Sequence, residues 1–373
     1  MVECKLSIGP EIDGGNLGLE SRIIRHGGSM SLMLKEILEQ PQALRKTFRA
    51  ERGHAREFMK FTRQRNFRLV VLVARGTSDN AARLARYLME ITTGIPASLS
   101  APSVHTLYRA QVDYRQALVV GISQSGEATD INLVLEAARR RGGYTVGITN
   151  EKHSSMAKLV DEVFLVHAGR QQSVAATKTY TGQLLIFYLL AAALGTDITM
   201  ESASEIPDRV QETLRLIPEL RELVERYRYM KHGVVVARGI NYGNAFEFAL
   251  KLMETCYVLA EPFSGADFLH GPIALIERDF PTFIFMPPGK TFHHLRQLTE
   301  RLGKLRAEVV AISGPEARIP AATRVIRVPG NIPDIYSPIP YIVPGQIFAA
   351  HLAEIKGLNP DNPRSLRIVT KTV

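Results

Sequence analysis

LVVLVARGTSDNAA at 69–82 and HGVVVARGINYGNA at 232–245 are two versions of one phrase: an apolar run, an Ala-Arg-Gly turn, then a stretch reaching Asn-Ala. Gly76 and Gly239 stand 163 positions apart in them. The same offset carries Ser-Gln-Ser-Gly (123–126) onto Met-Pro-Pro-Gly (286–289), behind the apolar runs ALVVGI (117–122) and PTFIFM (281–286). YTVGITN (144–150) and EVVAISG (308–314) form a third pair at an offset of 164. Three matched landmarks at near-constant spacing mark an internal repeat, and the chain reads as two copies of one unit.

Within each copy, short β-branched runs alternate with amphipathic stretches such as NAARLARYLMEITTG and TDINLVLEAARRRGG. Strands that alternate with helices imply a parallel sheet covered on both faces, because each crossover lays a helix over the sheet. The fold class is therefore α/β. Gly142-Gly143 closes the second of these helices, as a C-cap requires. The apolar run Leu184–Leu194 is shorter than the ~20 residues a bilayer demands and reads as a buried helix. Residues 196–230 are expected to hold one helix joining the lobes, and 346–357 a helix followed by an extended tail. The expected organisation is an N-terminal extension at 1–29, a first, phosphate-binding unit at 30–210, a second unit at 211–345, and a C-terminal helix and tail at 346–373 that closes the site.

The 373 residues carry a net charge of +9 and 45% apolar side chains, which suits globular units with anionic partners. Many of the cations fall between Arg45 and Arg68, interleaved with Leu44, Phe48 and Phe58, and read as the solvated face of one helix. No recognition motif accompanies them, so a small anion is the expected partner, with no nucleic acid and no membrane. Cys4 and Cys256 form neither a disulfide framework nor a metal cluster, so no metal is expected. The first residues lack the pattern of a secretory signal, and a reducing cytoplasm is the expected compartment.

In open parallel sheets, ligands bind beyond the carboxyl ends of the strands. Gly76-Thr77-Ser78 and Ser123-Gln124-Ser125-Gly126-Glu127-Ala128-Thr129 fall there, with Ser173-Val174-Ala175-Ala176-Thr177 as a third cluster. A turn that ends a strand and opens a helix presents free N–H groups and the positive end of the helix dipole to an anion. One such turn would be read as a capped helix; three point to an anion site. The second copy has GINYG and MPPGKT in the matching places, with few hydroxyls, and is expected to keep the scaffold without the phosphate site. Lys290 in that turn reads as a turn residue.

ARGTSDNAA, SQSGEATD, SVAATKTYT, ALKLMET, HGPIAL and the terminal NPRSLRIVTKTV, taken together and in order over about residues 30–373, resemble the SIS (sugar isomerase) family. The likeness is to the isomerase module of glucosamine-6-phosphate synthases and to their glutaminase-free deaminase relatives. It implies two tandem units of flavodoxin-like three-layer architecture and a sugar-phosphate substrate, with no cofactor. By this resemblance Gly76, Thr77, Ser78, Ser123, Gln124, Ser125, Thr129, Val174 and Ala175 hold the substrate. Thr129 stands one place after the family's usual threonine, which is Ala128 here. Glu254 matches the catalytic glutamate, Lys251 the lysine beside it, and His270 a ring-opening histidine that the family takes from the partner subunit, which implies a homodimer. The family's tail lysine is replaced by Ile368, with Lys371 three residues on.

The chemistry agrees with those roles. Moving a proton between C1 and C2 needs a single carboxylate suspended over both carbons. Lys251 and Glu254, three apart, share a helix face, and a histidine can carry the O5-to-O1 proton near neutral pH. Arg75 and Ala176 replace the cysteine and serine common in synthases, and no glutaminase domain is expected ahead of residue 30. The expected activity is conversion of an aminohexose 6-phosphate such as glucosamine 6-phosphate to fructose 6-phosphate and ammonia. A ketose–aldose isomerase, a deglycase, a glutamine-independent synthase-like isomerase and a non-catalytic sugar-phosphate sensor stay open beside it.

Overall fold

The computed structural model describes residues 30–366; the expectations for residues 1–29, Ile368 and Lys371 lie outside the described residues. Ten strands form two sheets. They are β1 (Leu69–Val73), β2 (Ala97–Leu99), β3 (Ala117–Ile122), β4 (Tyr144–Thr149), β5 (Glu162–Leu165), β6 (His232–Ala237), β7 (Leu259–Ser264), β8 (Pro281–Phe285), β9 (Glu308–Ser313) and β10 (Arg324–Arg327). All recorded pairings are parallel, ordered β2-β1-β3-β4-β5 in one sheet and β10-β9-β8-β6-β7 in the other. Counted from the first strand of each sheet, both follow the order 2-1-3-4-5 of flavodoxin-like folds. The repeat seen in the sequence is thus a repeat of topology.

The helices that matter for the site are α1 (Leu32–Leu38), α2 (Gln40–Thr62), α3 (Gly76–Thr93), α4 (Thr129–Arg140), α5 (Lys178–Ala193), α6 (Tyr242–Cys256), α7 (Gly265–Leu269), α8 (Phe292–Lys304) and α9 (Pro338–Ile355). Strands β3 and β8 are buried at every position, as continuous apolar runs covered on both faces must be. Helix α5 is buried all round and packs on α2 and α3. Each leucine or phenylalanine hidden this way contributes roughly 1.5–3 kcal/mol before chain entropy is counted. On α2, Leu44, Phe48 and Phe58 face inward, which leaves the cations on the outer face as expected.

Two helical expectations change. Residues 200–224 hold three short helices, Met200–Ser204, Ile206–Thr213 and Ile217–Val224, where one was expected. Pro207 and Pro218 sit in the first turns of the last two, where a missing N–H costs nothing but no helix can run through from before. Helix α9 starts at Pro338, eight residues early, because Pro338 and Pro340 occupy a first turn that needs no donors, while Pro344 is accommodated inside.

Helices α3 and α6, the matching elements of the two copies, pack directly on each other. A Cβ at Gly243 would lie 2.6 Å from the Asn80 carbonyl oxygen, so only glycine permits this close crossing. The crossing brings the end of one sheet's first turn to the middle of the other copy's helix.

Candidate active site

The order 2-1-3-4-5 opens a crevice where β1 and β3 send their chains to opposite faces. The turns bearing Thr77-Ser78 and Ser123–Ser125 flank it. Gly76 has φ +54° and Gly126 φ +65°, left-handed values that suit glycine and pull the main chain tight at both turns. At Gly126 a side chain would also collide with Ser154.

Capping does not account for the hydroxyls here. Ser31, Ser154, Thr199 and Ser264 do cap helices elsewhere, each accepting from a backbone N–H of the first turn. Helices α3, α4 and α5 begin with no side-chain cap, behind Arg75, Ala128 and Thr177. Ser78 instead accepts from the Gln183 amide at 3.0 Å, and Ser123 accepts the Gly126 N–H at 3.1 Å. Ser125 accepts the Glu127 N–H at 3.3 Å, and the Gln124 carbonyl accepts the Asn150 N–H at 3.0 Å. Thr129, the first residue of α4, is exposed. In the third cluster, Ala175 is buried and Val174 half-buried. Ser173 Oγ and Thr177 Oγ1 are buried without a hydrogen-bond partner among the described residues. Orphaned donors beside uncapped helix starts are what an anion site retains.

This third cluster is held by a residue that sequence reading missed. The Glu36 carboxylate on α1 accepts the backbone N–H groups of Gln172 (2.6 Å) and Ser173 (3.4 Å) and the Gln171 amide. Burial pushes its pKa up, against the pull of those N–H groups and of Lys178. Lys178 donates to Glu39 at 2.6 Å and to the Arg170 carbonyl at 2.9 Å, so both ends of the loop are tied to the N-terminal helices.

Across the helix crossing, α6 presents Glu247, Lys251 and Glu254 on one face. The Lys251 ammonium meets Glu254 Oε2 at 2.6 Å and Glu247 Oε1 at 3.4 Å, and it donates to Thr77 Oγ1 at 3.2 Å. Thr77 lies 3.3 Å from Glu247 Oε1, and Asn80 donates to Glu247 Oε2 at 2.8 Å. Glu247 and Lys251 are sealed from solvent, whereas the Glu254 side chain keeps 20% exposure. Burial pushes the Glu247 carboxyl up to about 7 even though Lys251 and Asn80 pull it down. Burial also works against the Lys251 ammonium, but Glu247 and Glu254 outweigh it and its pKa ends up raised. Lys251 is thus a fixed positive charge that aims the one carboxylate able to meet a ligand. The expected pair is present, and Glu247 and Asn80 join it; the four-residue spacing of Glu247 and Lys251 was the available signal.

His270 stands apart from this cluster. It follows α7, is exposed, and has the exposed Leu269 and Leu275 on either side; Gly271 next to it has φ +144°. No hydrogen bond or ion pair joins it to Glu254 or Lys251 among the described residues. Lys290 is likewise exposed; its backbone N–H donates to Asp334 at 3.2 Å, and its charge acts on the same carboxylate. Among the described residues no group of three or more His, Cys, Asp or Glu side chains could hold a metal ion, and no helix is long and apolar enough to cross a membrane.

A family model described as the SIS domain matches residues 65–193 and 227–331. Glutamine–fructose-6-phosphate aminotransferase (isomerizing) of Pyrococcus horikoshii is 35% identical over 355 residues, covering 91% of this chain and 57% of that protein. The chain spans less than two thirds of the length of such curated relatives. Among solved structures, the C-terminal domain of glucosamine-fructose-6-phosphate aminotransferase from Francisella tularensis is similar with 26% identity and a TM-score of 0.80, over 90% of this chain and 99% of that one. Glucosamine-6-phosphate deaminase from Thermotoga maritima is similar with 25% identity and a TM-score of 0.74, over 91% of this chain and 99% of that one.

Proposed function

That this chain belongs to the SIS-domain family is the premise from which we propose its reaction: an aminohexose 6-phosphate is converted to the ketohexose 6-phosphate and ammonia. The phosphate sits in the β1/β3 crevice, where the starts of α3, α4 and α5 offer N–H groups and the hydroxyls of Thr77, Ser78, Ser123, Ser125 and Thr129 add donors. Gly76, Gln124, Val174 and Ala175 shape its walls. Residues 30–210 supply this half and residues 211–345 supply the proton-transfer half.

The observation that carries the reading is Thr77. It belongs to the phosphate turn, and its hydroxyl touches the Lys251 ammonium that aims Glu254. Phosphate binding and proton transfer therefore share one hydrogen-bonded unit. Glu254 takes the C2 proton of the open-chain sugar and returns it at C1, which turns the enolamine into a C2 imine. Water adds at C2, and ammonia leaves as the ketone forms. Only acid and base groups are needed, so the reaction calls for no metal or organic cofactor.

His270 moves the ring-opening proton from O5 to O1 in the site of a second copy, which makes the working form a homodimer. Its exposure, with Leu269 and Leu275 beside it, supports that role. Two cysteines far apart in sequence, Cys4 and Cys256, support a cytoplasmic enzyme. The amine-releasing form, rather than a plain ketose–aldose exchange, is supported by the likeness to a glucosamine-6-phosphate deaminase and by Arg75 and Ala176 in place of cysteine and serine.

Incubation with glucosamine 6-phosphate, assaying ammonia and fructose 6-phosphate together, tests the reading. Equal release of both is expected, with Glu254→Gln about 10²–10⁴-fold slower. A Glu254→Gln enzyme with full activity would remove Glu254 from the mechanism. Sugar isomerisation without ammonia would leave only the isomerase.

A further inference from the structure

The second sheet carries a cleft of its own, of about 240 Å³, at the end of β6. Arg238, Gly265, His294, Gln297 and Arg301 line it over a floor that includes Leu298. We propose that this cleft is a second anion site, distinct from the β1/β3 crevice, and that it takes a small phosphomonoester.

The repeat supplies the argument. Arg238 ends β6 as Arg75 ends β1, 163 positions apart. Arg75 is neutralised by Asp130, its Nε lying 2.7 Å from Oδ2. Beyond the Gly126/Gly289 turn the copies run one residue further apart. The buried positions Ile131, Val134, Leu135 and Ala138 of α4 match Leu295, Leu298, Thr299 and Leu302 of α8, all buried and all offset by 164. That register places His294 where Asp130 stood. The second copy has therefore exchanged the carboxylate of an ion pair for an imidazole, and both Arg238 and His294 line the cleft.

Arg238 is half-buried and has no acceptor among the described residues; Arg301, at the rim, is exposed and likewise has none. A guanidinium drawn partly out of water without a partner is costly unless an anion joins it. His294, Gln297 and Arg301 follow one another at three- and four-residue spacing, so they form a single stripe along α8 facing the cleft. No Asp or Glu is among the lining residues. Planar guanidinium groups that converge with an amide and an imidazole match the oxygens of a phosphate. The volume lies below that of pockets for drug-sized ligands, which selects a small phosphomonoester over a nucleotide.

Calorimetric titration of the full chain, first with inorganic phosphate and then with fructose 6-phosphate, tests the proposal. Two equivalents per chain are expected. Arg238→Gln/Arg301→Gln should weaken one of them at least tenfold, and His294→Glu, a fold-neutral change at an exposed position, should do the same. Ser123→Ala/Ser125→Ala should remove the other equivalent. Equal affinity of both ligands at the second cleft means that the phosphate alone is read; tighter sugar phosphate means that its carbons are read too. A single equivalent, lost in the serine variant and unchanged in both cleft variants, overturns the second site. If the serine variant loses nothing while the cleft variants lose one equivalent, the cleft stands and the β1/β3 reading falls.

Discussion

Helices α3 and α6 hold matching places in the two copies and press against each other, yet one is core and the other is chemistry. Leu84, Leu88 and Ile91 of α3 correspond, 163 positions on, to Glu247, Lys251 and Glu254 of α6. Leu84 and Leu88 are fully buried, as are Glu247 and Lys251. The turns make the opposite exchange: Thr77 becomes Ile240, and Ser123, Gln124 and Ser125 become Met286, Pro287 and Pro288. The repeat supplies two matching frames, and in the function proposed above a few substitutions give phosphate contacts to one and a proton-transfer carboxylate to the other. Because the two helices cross, the divided labour is rejoined at Thr77 and Lys251.

Restoring the first copy's pattern in the second tests this comparison most severely. Lys251→Leu leaves Glu247 buried and without its cation, and should destabilise the fold by about 3–5 kcal/mol. Glu247→Leu/Lys251→Leu removes both charges and should recover most of that loss in chemical denaturation, while remaining inactive. A double variant no more stable than the single would mean that the two helices are not interchangeable frames.

A smaller effect is expected at the crossing itself. Gly243→Ala forces a methyl against the Asn80 carbonyl and should cost about 1–3 kcal/mol, with a raised KM as the Thr77–Lys251 contact shifts. An unchanged melting temperature would show that the crossing has slack.

A last test concerns pH. Glu247 titrates near its ordinary value of 4.5 when unfolded and at about 7 when folded. Between those values the folded chain holds a proton that the unfolded chain has released, so stability falls as pH rises through this window. Glu247→Gln should flatten that slope between pH 4.5 and 7 in urea midpoints. An unaltered slope would assign the titration to another group, such as Glu36, whose pKa burial also raises from 4.5 and whose contribution carries the same sign.

The repeat and its central strands were legible in the sequence because strands covered on both faces must be continuously apolar. Of the four edge strands, β5 was legible and the other three were not. β2 has three residues, β7 carries Glu261 and Pro262, and β10 has an arginine at each end. An edge strand is free to be short, polar or proline-bearing, which erases the pattern that reveals a strand. The hydroxyl-rich turns and the Lys251–Glu254 pair were legible because they are local. Glu36 and Asn80 were not, since their partners lie 136 and 167 positions away. Only the fold brings those residues together.

Asp361 joins Ser31 at the start of α1, its carboxylate accepting the N–H groups of Leu32 and Met33 at 2.8 Å each. On the ribosome, α1 emerges long before Asp361, which stands 329 residues after Leu32. Glu36, which anchors the Gln172–Ser173 backbone, rides on that helix. The first copy can therefore assemble its sheet early, while the loop anchored by Glu36 gains the Asp361 contact only once residue 361 has been made. Loop closure over so long a span makes this a late, slow contact, and it ties the maturation of the crevice to the synthesis of residue 361.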